Sequence, residues 1–303
     1  MNLLIYLPAL NEEKNISEVL NKLPKKLEGV NKVSVLVVDD GSTDNTVSMA
    51  KKSGAIVISH PRNLGVGRAF HTAIEYARKN SIDILVSIDA DKQFDSKEIP
   101  TVIKPILDRK ADMVAGNRFA NGIPKNMSKI KYWGNGMMAK LISFITGKKL
   151  IDVSCGFRAY GRKALHSLNL YGNFTYTQET ILDLSFKELF VEEIPISVTY
   201  YPNRKSRVAG NILNYAFKTS HIIVSFLTIY KPMVLLLLVL SILIVLNLLV
   251  LLLFKDKIDV SLILSSILYV HFLVLLIFKN IRRIINNQER ILAKQEEYRN
   301  ERH

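Results

Sequence analysis

The sequence predicts an α/β head on a mostly parallel sheet, followed by a two-helix transmembrane hairpin and a terminal amphipathic helix. Three observations carry that expectation. Short apolar runs alternate with helix-like stretches through the first part of the chain. Each of these runs ends in a polar loop. Two long, nearly uncharged segments lie toward the C-terminus. Alternating strands and helices build parallel sheets, and ligands of open α/β sheets sit beyond the carboxyl ends of the strands.

The elements follow in order. Leu3 to Leu7 reads as a buried strand, leading through Pro8-Ala9-Leu10-Asn11-Glu12-Glu13 to a helix from about Ile16. Val33 to Val38 is a second strand, ending in Asp39-Asp40-Gly41-Ser42-Thr43-Asp44 before another helix. That loop also fits a strand-ending turn with an N-cap from Ser42, Thr43 or Asp44, and both roles can hold together. Ala55 to Ser59 is a third strand, leading through His60-Pro61-Arg62-Asn63-Leu64-Gly65-Val66-Gly67 to a helix over Arg68–Lys79. Ile82 to Ile88 is a fourth, ending in Asp89-Ala90-Asp91-Lys92-Gln93. Two carboxylates one residue apart at a strand end can share a hard divalent cation; alone, such a pair is also an ordinary solvated turn.

Met233 to Phe254 is a nearly unbroken apolar run without charge, and Val260 to Phe278 is a second, slightly shorter one. About 20 apolar residues cross a bilayer core as a helix, so both qualify. Lys255-Asp256-Lys257-Ile258-Asp259 suffices only for a tight connection. Lys218 and Lys231 precede the first span, and Lys279, Arg282 and Arg283 follow the second. The positive-inside tendency therefore puts the head and both termini in the cytoplasm, as a multi-pass protein of the cytoplasmic (inner) membrane. The chain enters its first strand almost at once, so no secretory leader is expected.

The 303 residues carry a formal net charge of +14 and a single cysteine, Cys155. One cysteine excludes an internal disulfide and suits a reducing compartment; it reads as a small buried side chain rather than a nucleophile. No groove-reading element combines clustered basic residues with stacking aromatics, so no nucleic-acid partner is expected. Much of the positive excess lies between Lys125 and Lys149 and at Lys205, Arg207, Lys218 and Lys231, where an anionic membrane or phosphate ligands explain it more simply.

These patterns divide the chain into a head over 1–210, an interfacial helix over 211–230, a hairpin over 231–279 (spans about 233–254 and 260–278) and a cytoplasmic amphipathic helix over 280–303. In the second of these, Ile212, Tyr215, Ala216, Thr219, Ile222, Ile223 and Phe226 fall close to one face. A helix along the membrane and a helix packed on the sheet fit equally. Trp133, Met137, Met138, Leu141, Ile142, Phe144 and Ile145 form another apolar stripe, flanked by Lys129, Lys131 and Lys140. It reads either as core or as a membrane-contacting helix that guides a lipid. The terminal helix could pack on the head or join a second subunit in a homo-oligomer.

The loops after the first, second and fourth strands, with Gly116-Asn117-Arg118, together resemble the family 2 glycosyltransferases of GT-A fold. Asp152-Val153-Ser154-Cys155-Gly156-Phe157-Arg158-Ala159-Tyr160 is similar to a segment of the dolichyl- and polyprenyl-phosphate sugar synthases. The resemblance covers roughly residues 1 to 210. It implies that Pro8, Leu10, Glu12, Val37, Asp39, Asp40, Asn63, Gly65 and Ala90 bind a nucleotide-sugar donor. Asp89, Asp91 and Gln93 would hold Mg²⁺ or Mn²⁺ against its diphosphate. Arg118 is expected either to add positive charge at the sugar or phosphate, or to form a surface ion pair. Glu179, in Thr177-Gln178-Glu179-Thr180, would act as a base or position the sugar.

An alcohol acceptor needs a general base, whereas a phosphate monoester, with its second pKa about 6, does not. The late acidic pair of many alcohol-modifying relatives is missing, which favours a phosphate acceptor. Lys131, Arg158, Arg204, Lys205 and Arg207 are its candidate cationic partners, with Lys129 beside them. Related synthases often carry arginine and serine where this chain has Lys131 and Asn135. Their late Arg-x-x-Gly-x-Ser-Lys pattern appears as Tyr201-Pro202-Asn203-Arg204-Lys205-Ser206-Arg207, with the arginine and glycine positions altered. The expected activity is metal-dependent, inverting transfer of a hexose from a UDP- or GDP-sugar to a polyprenyl phosphate at the cytoplasmic face. A separate flippase would then carry the product across. The alternatives are transfer to a saccharide or glycolipid hydroxyl in cell-envelope polysaccharide synthesis, and a catalytically inactive scaffold.

Overall fold

A computed structural model describes residues 1–170, 175–201, 212–253, 262 and 264–281 of the chain. Its strands are β1 (Asn2–Ala9), β2 (Lys32–Asp39), β3 (Ile56–Ser59), β4 (Ile84–Ser87), β5 (Met113–Asn117), β6 (Arg158–Gly161) and β7 (Val191–Pro195). Its helices are α1 (Ile16–Lys22), α2 (Thr46–Lys52), α3 (Val66–Lys79), α4 (Ile99–Leu107), α5 (Lys129–Thr146), α6 (Arg162–Ser167), α7 (Thr177–Phe186), α8 (Ile212–Tyr230) and α9 (Pro232–Leu253). A tenth, α10, covers Leu264–Ile281.

β1 is buried over nearly its whole length, as a central strand covered on both faces must be. Its side chains alternate. Leu3, Ile5 and Leu7 join Ile16 and Val19 of α1 and Val102 and Ile103 of α4 in one core cluster. Tyr6 faces the other way, with its ring centroid 5.9 Å from that of Phe70 on α3. The seven strands lie in the order β3-β2-β1-β4-β6-β5-β7. All pair in parallel except β6, which runs antiparallel to both β4 and β5. The expected mostly parallel α/β architecture is therefore present.

The reversed strand shapes the rim of the sheet. Arg158, the first residue of β6, pairs with Ser87, the last of β4, and also with Ala115 of β5. The segment just before β6 thus lies on the same rim as the chain just after β4 and β5. Every polar loop named from the sequence meets at this edge or beside it.

α5 separates its apolar residues onto two sides. Ala139, Ile142 and Ile145 are buried, while Ile130, Trp133, Met137, Leu141 and Phe144 are exposed, Trp133 by 67% and Phe144 by 83%. The helix ends at Gly147 with φ 71°, a left-handed C-cap that a side chain would strain. α7 is unusual in the opposite sense: its polar residues from Thr177 to Thr180, with Asp183 and Ser185, are buried too.

The chain divides into two compact units, Met1–Thr219 and Ser220–His303. In the second, α9 and α10 are each long and apolar enough to cross a membrane. Lys279 Nζ near the end of α10 donates to Ser225 Oγ of α8 at 3.3 Å, so the chain returns toward the segment preceding α9, as a hairpin does. Ile222, Ile223 and Phe226 of the expected α8 face are buried within the protein. Asn280 and Ile281 close α10; the rest of the expected terminal helix, the 255–259 connection, and Arg204, Lys205 and Arg207 lie outside the described residues.

Candidate active site

The chain leaves β4 at Ser87, and Ile88 N donates to Tyr6 O at 3.0 Å, keeping this edge beside β1. Asp89 comes next, directly against Gly156. A Cβ at position 156 would stand 2.9 Å from Asp89 Oδ2 and 3.1 Å from Oδ1. Only glycine leaves the carboxylate where it is. Asp91 Oδ1 accepts from Gln93 N at 3.1 Å, and Lys92 between them takes φ 63°, which turns the chain sharply. Lys92 pairs with Glu18, which also takes Lys22 at 2.8 Å; hydrogen bonds from both lysines hold the Glu18 carboxyl at about 2. Thr199 N donates to Gln93 O at 2.9 Å and fixes the far side of the loop.

Among the described residues, no three His, Cys, Asp or Glu side chains gather into a cage. Asp89 and Asp91 offer two hard carboxylates on one short turn, with Gln93 beside them. That donor set fits Mg²⁺ or Mn²⁺, which takes one or two carboxylates and completes its shell from substrate phosphates and water. It does not fit a structural zinc site.

The first two loops interlock through their own hydrogen bonds. Asn11 N donates to Ser42 Oγ at 2.8 Å, Glu12 N to Thr46 Oγ1 at 2.8 Å, and Thr43 N to Asn11 Oδ1 at 2.9 Å. Asn11 has φ 51°, a conformation asparagine tolerates. Glu12 is buried and its carboxylate accepts from Asn15 Nδ2 at 2.7 Å. Asp39 is buried, with Oδ1 accepting from Ser42 N at 3.1 Å. Pro8 and Leu10 are half-buried on the same edge, and Asn63 and Gly65 lie in the loop after β3.

Three donor expectations change. Val37 and Ala90 both pack in the core cluster, so their side chains serve the interior and not a ligand. Asp40 accepts from His60 Nδ1 at 2.8 Å, Leu64 N at 2.9 Å and Gly65 N at 2.8 Å. A carboxylate offers about four acceptor positions. Three are taken within the chain, so Asp40 anchors the loop over 60–65.

The other end of the rim also departs from expectation. Arg118 forks onto Asp152, Nε to Oδ2 at 2.6 Å and Nη2 to Oδ1 at 2.8 Å, and its Nη1 donates to Tyr200 Oη at 2.8 Å. This is neither a surface ion pair nor a freely offered phosphate ligand. Burial alone favours a neutral guanidine; the Asp152 charge and its hydrogen bonds outweigh that and hold Arg118 more firmly protonated than usual. Glu193 braces the pair from behind, accepting from Ile151 N at 2.8 Å and Asp152 N at 2.8 Å.

Arg158, expected to meet the acceptor, is instead wholly buried. It donates to Cys155 O at 2.6 Å, Thr177 O at 2.5 Å, Thr180 Oγ1 at 2.9 Å and Val153 O at 3.0 Å. It ties the segment before β6 to the start of α7. Glu179 is buried on α7, one residue from Gln178, whose Nε2 donates to Ser154 Oγ at 3.2 Å. Lys131 remains exposed on α5. α5 itself joins this end of the rim: Tyr132 and Phe119 rings meet at 5.3 Å, and Asn135 Nδ2 donates to Ile151 O at 3.1 Å.

Sequence reasoning gives no role to Asp152, Gly156, His60 or Tyr200. Asp152 and Gly156 fall inside the segment that carries the resemblance, and only the register of β6 explains why both are needed. Cys155 is buried, and burial pushes its thiol up to about 12. Native protein at about pH 8 is therefore expected to resist iodoacetamide and to react once denatured, as read by mass spectrometry. Rapid labelling of the folded chain would contradict this placement.

Comparison with known proteins bears on the family and the fold. The profile described as "Glycosyl transferase family 2" matches residues 4–168, more than half of the chain. An uncharacterized protein of Methanocaldococcus jannaschii is 34% identical over 70% of this chain and 87% of its own length. The UDP-N-acetylglucosamine–dolichyl-phosphate N-acetylglucosaminyltransferase of Methanococcus voltae is 32% identical over 65% of this chain and 86% of its own. Among solved structures, glucosyl-3-phosphoglycerate synthase from Mycobacterium tuberculosis, in complex with Mn²⁺, UDP and phosphoglyceric acid, is similar in fold. Its TM-score is 0.57 at 21% identity, over 75% of this chain and 77% of that one. With paired carboxylates at the end of β4, interlocked loops after β1 and β2, and a matching profile that runs through all of them, this chain is a glycosyltransferase and belongs to glycosyl transferase family 2.

Proposed function

We propose that the chain transfers a hexose from a UDP- or GDP-sugar to a polyprenyl phosphate at the cytoplasmic face of the membrane, with inversion at the anomeric carbon. One observation carries the lipid half of this reading. α5 docks beside Arg118 and Asp152 while turning Ile130, Trp133, Met137, Leu141 and Phe144 outward. An apolar stripe edged by Lys129, Lys131 and Lys140 suits a helix that meets lipid next to the reacting atoms. The dolichyl-phosphate transferase similar to this chain supports the same acceptor class.

The acceptor phosphate oxygen attacks the anomeric carbon opposite the leaving group. The bond to the donor's β-phosphate oxygen breaks, and its electron pair leaves with the nucleoside diphosphate. Asp89, Asp91 and Gln93 would hold Mg²⁺ or Mn²⁺, which would supply Lewis-acid stabilisation of the charge gathering on that diphosphate. Glu12 and Asp39 present acceptor oxygens to N–H and hydroxyl groups of the nucleoside. The acceptor phosphate is ionised at neutral pH and needs no base. Lys131, with Arg204, Lys205 and Arg207, supplies its cationic partners. Arg118 acts through Asp152, holding the loop before β6 in register. α9 and α10 anchor the head to the bilayer that contains its acceptor, and a separate flippase moves the product.

Membranes bearing the protein, incubated with radiolabelled nucleotide sugars and polyprenyl phosphate, are expected to yield organic-extractable label. Label confined to water-soluble saccharide would overturn the reading. Glu179→Gln is expected to reduce turnover less than about tenfold, since a general base is worth about 10²–10⁴-fold. A loss in that larger range would favour a hydroxyl acceptor with Glu179 as its base.

A further inference from the structure

The Asp40 carboxylate has a partner that the reaction scheme leaves unused. His60 Nδ1 lies 2.8 Å from Asp40 Oδ1, and the two side chains are only 8% and 7% exposed. Asp40 can only accept, so Nδ1 carries a hydrogen in either protonation state. The other ring nitrogen, Nε2, lies 3.0 Å from Thr72 Oγ1 on α3, which sets the plane of the imidazole. The same carboxylate takes Leu64 N and Gly65 N at the far end of the loop. His60 N itself donates to Asp39 O at 2.8 Å. Both ends of the 60–65 loop are thus tied to the Asp39-Asp40 pair.

The middle of that loop is held by contact. Gly41 has φ 82°, and a Cβ there would stand 2.6 Å from the carbonyl carbon of Arg62 and 2.8 Å from Asn63 N. The Asp39-Asp40-Gly41 turn and the Arg62-Asn63 backbone therefore touch, leaving the Arg62 and Asn63 side chains exposed at the tip. We propose that His60 is a positioning residue for the nucleoside diphosphate half of the donor, acting through Asp40 to set the 60–65 loop against Asp39. The assignment rests on the donor reading under Proposed function.

The test uses the full chain in detergent and four proteins: wild type, H60A, H60N and H60Q. An asparagine amide takes the place of Nδ1 and can still donate to Asp40; a glutamine amide takes the place of Nε2 and cannot. UDP and GDP are titrated with Mg²⁺ by calorimetry. H60A and H60Q are expected to bind the preferred nucleotide about 10- to 100-fold more weakly, the range for loss of a hydrogen bond to a charged group. H60N is expected to regain most of that loss. In turnover, donor KM rises while kcat holds within about threefold, since ground-state and transition-state binding fall together. Exchange of the Leu64 and Gly65 amides quickens in H60A and H60Q but not in H60N.

Nucleotide affinity equal to wild type in H60A, or H60Q performing as well as H60N, overturns the assignment and leaves the donor reading intact. If H60A does not fold, the comparison of H60Q with H60N still decides. A wild-type protein that binds neither nucleotide overturns the donor reading, and with it the role of His60 there; unchanged amide exchange in the variants would remove the loop clamp as well.

Discussion

Asp89→Ala and Asp91→Ala are expected to abolish sugar transfer, each by about a thousandfold or more, with the fold intact. A bound cation that stabilises a departing diphosphate is worth several kcal/mol, and each 1.36 kcal/mol is about tenfold in rate. Neither carboxylate is a core residue, so circular dichroism is expected to match wild type. Gly156→Ala refines the test without touching an acidic group. Its Cβ would sit 2.9 Å from Asp89 Oδ2, and the carboxylate must move to make room. A displacement near 1 Å can cost about 10²-fold. Initial rates across a Mn²⁺ or Mg²⁺ titration measure all three. Full activity in Asp91→Ala, or turnover unaffected by excess chelator, would remove the metal assignment.

The strands and the acidic loops at their ends are legible in the sequence because both are local patterns. Apolar runs of strand length announce β1 to β4, and Asp39, Asp89 and Asp91 fall at the rim because strands of a parallel sheet all end there. What cannot be read is which polar groups are already satisfied within the chain. Asp40 looks like a ligand until His60, Leu64 and Gly65 are seen to use it. Arg118 looks like a phosphate clamp until Asp152, 34 positions away, takes its fork. Such pairings depend on register between distant segments, and no periodicity encodes them.

β6 is the clearest case. It has four residues and begins with an arginine, so neither its length nor its composition marks a buried central strand. Yet its reversed direction is what carries Gly156 to Asp89 and Asp152 to Arg118. α5 shows a related limit. Its apolar residues are visible at helical spacing, where core packing and lipid contact read as alternatives. The helix divides its apolar residues, burying Ala139, Ile142 and Ile145 and exposing Trp133, Met137 and Phe144. Helical periodicity reports that a face is apolar without reporting what covers it.

Arg158→Ala is expected to destabilise the head by about 3–5 kcal/mol, which is the cost of stranding several buried acceptors at once. The guanidinium donates to three carbonyls and to the Thr180 hydroxyl, and no water reaches the wholly buried side chain to replace it. Arg158→Lys keeps a cation but lacks the planar fork, and an ammonium cannot address four acceptors spread over two segments. It is expected to recover only part of the loss. Turnover falls as well in both variants, because Arg158 holds Val153 and Cys155, and through them Gly156 beneath Asp89. Denaturant midpoints of the full chain, followed by circular dichroism, separate this account from the one the sequence suggested. A direct acceptor contact predicts a raised acceptor KM at unchanged stability. A lowered midpoint with a reduced kcat, and an acceptor KM close to wild type, is the signature of a side chain that builds the site from behind.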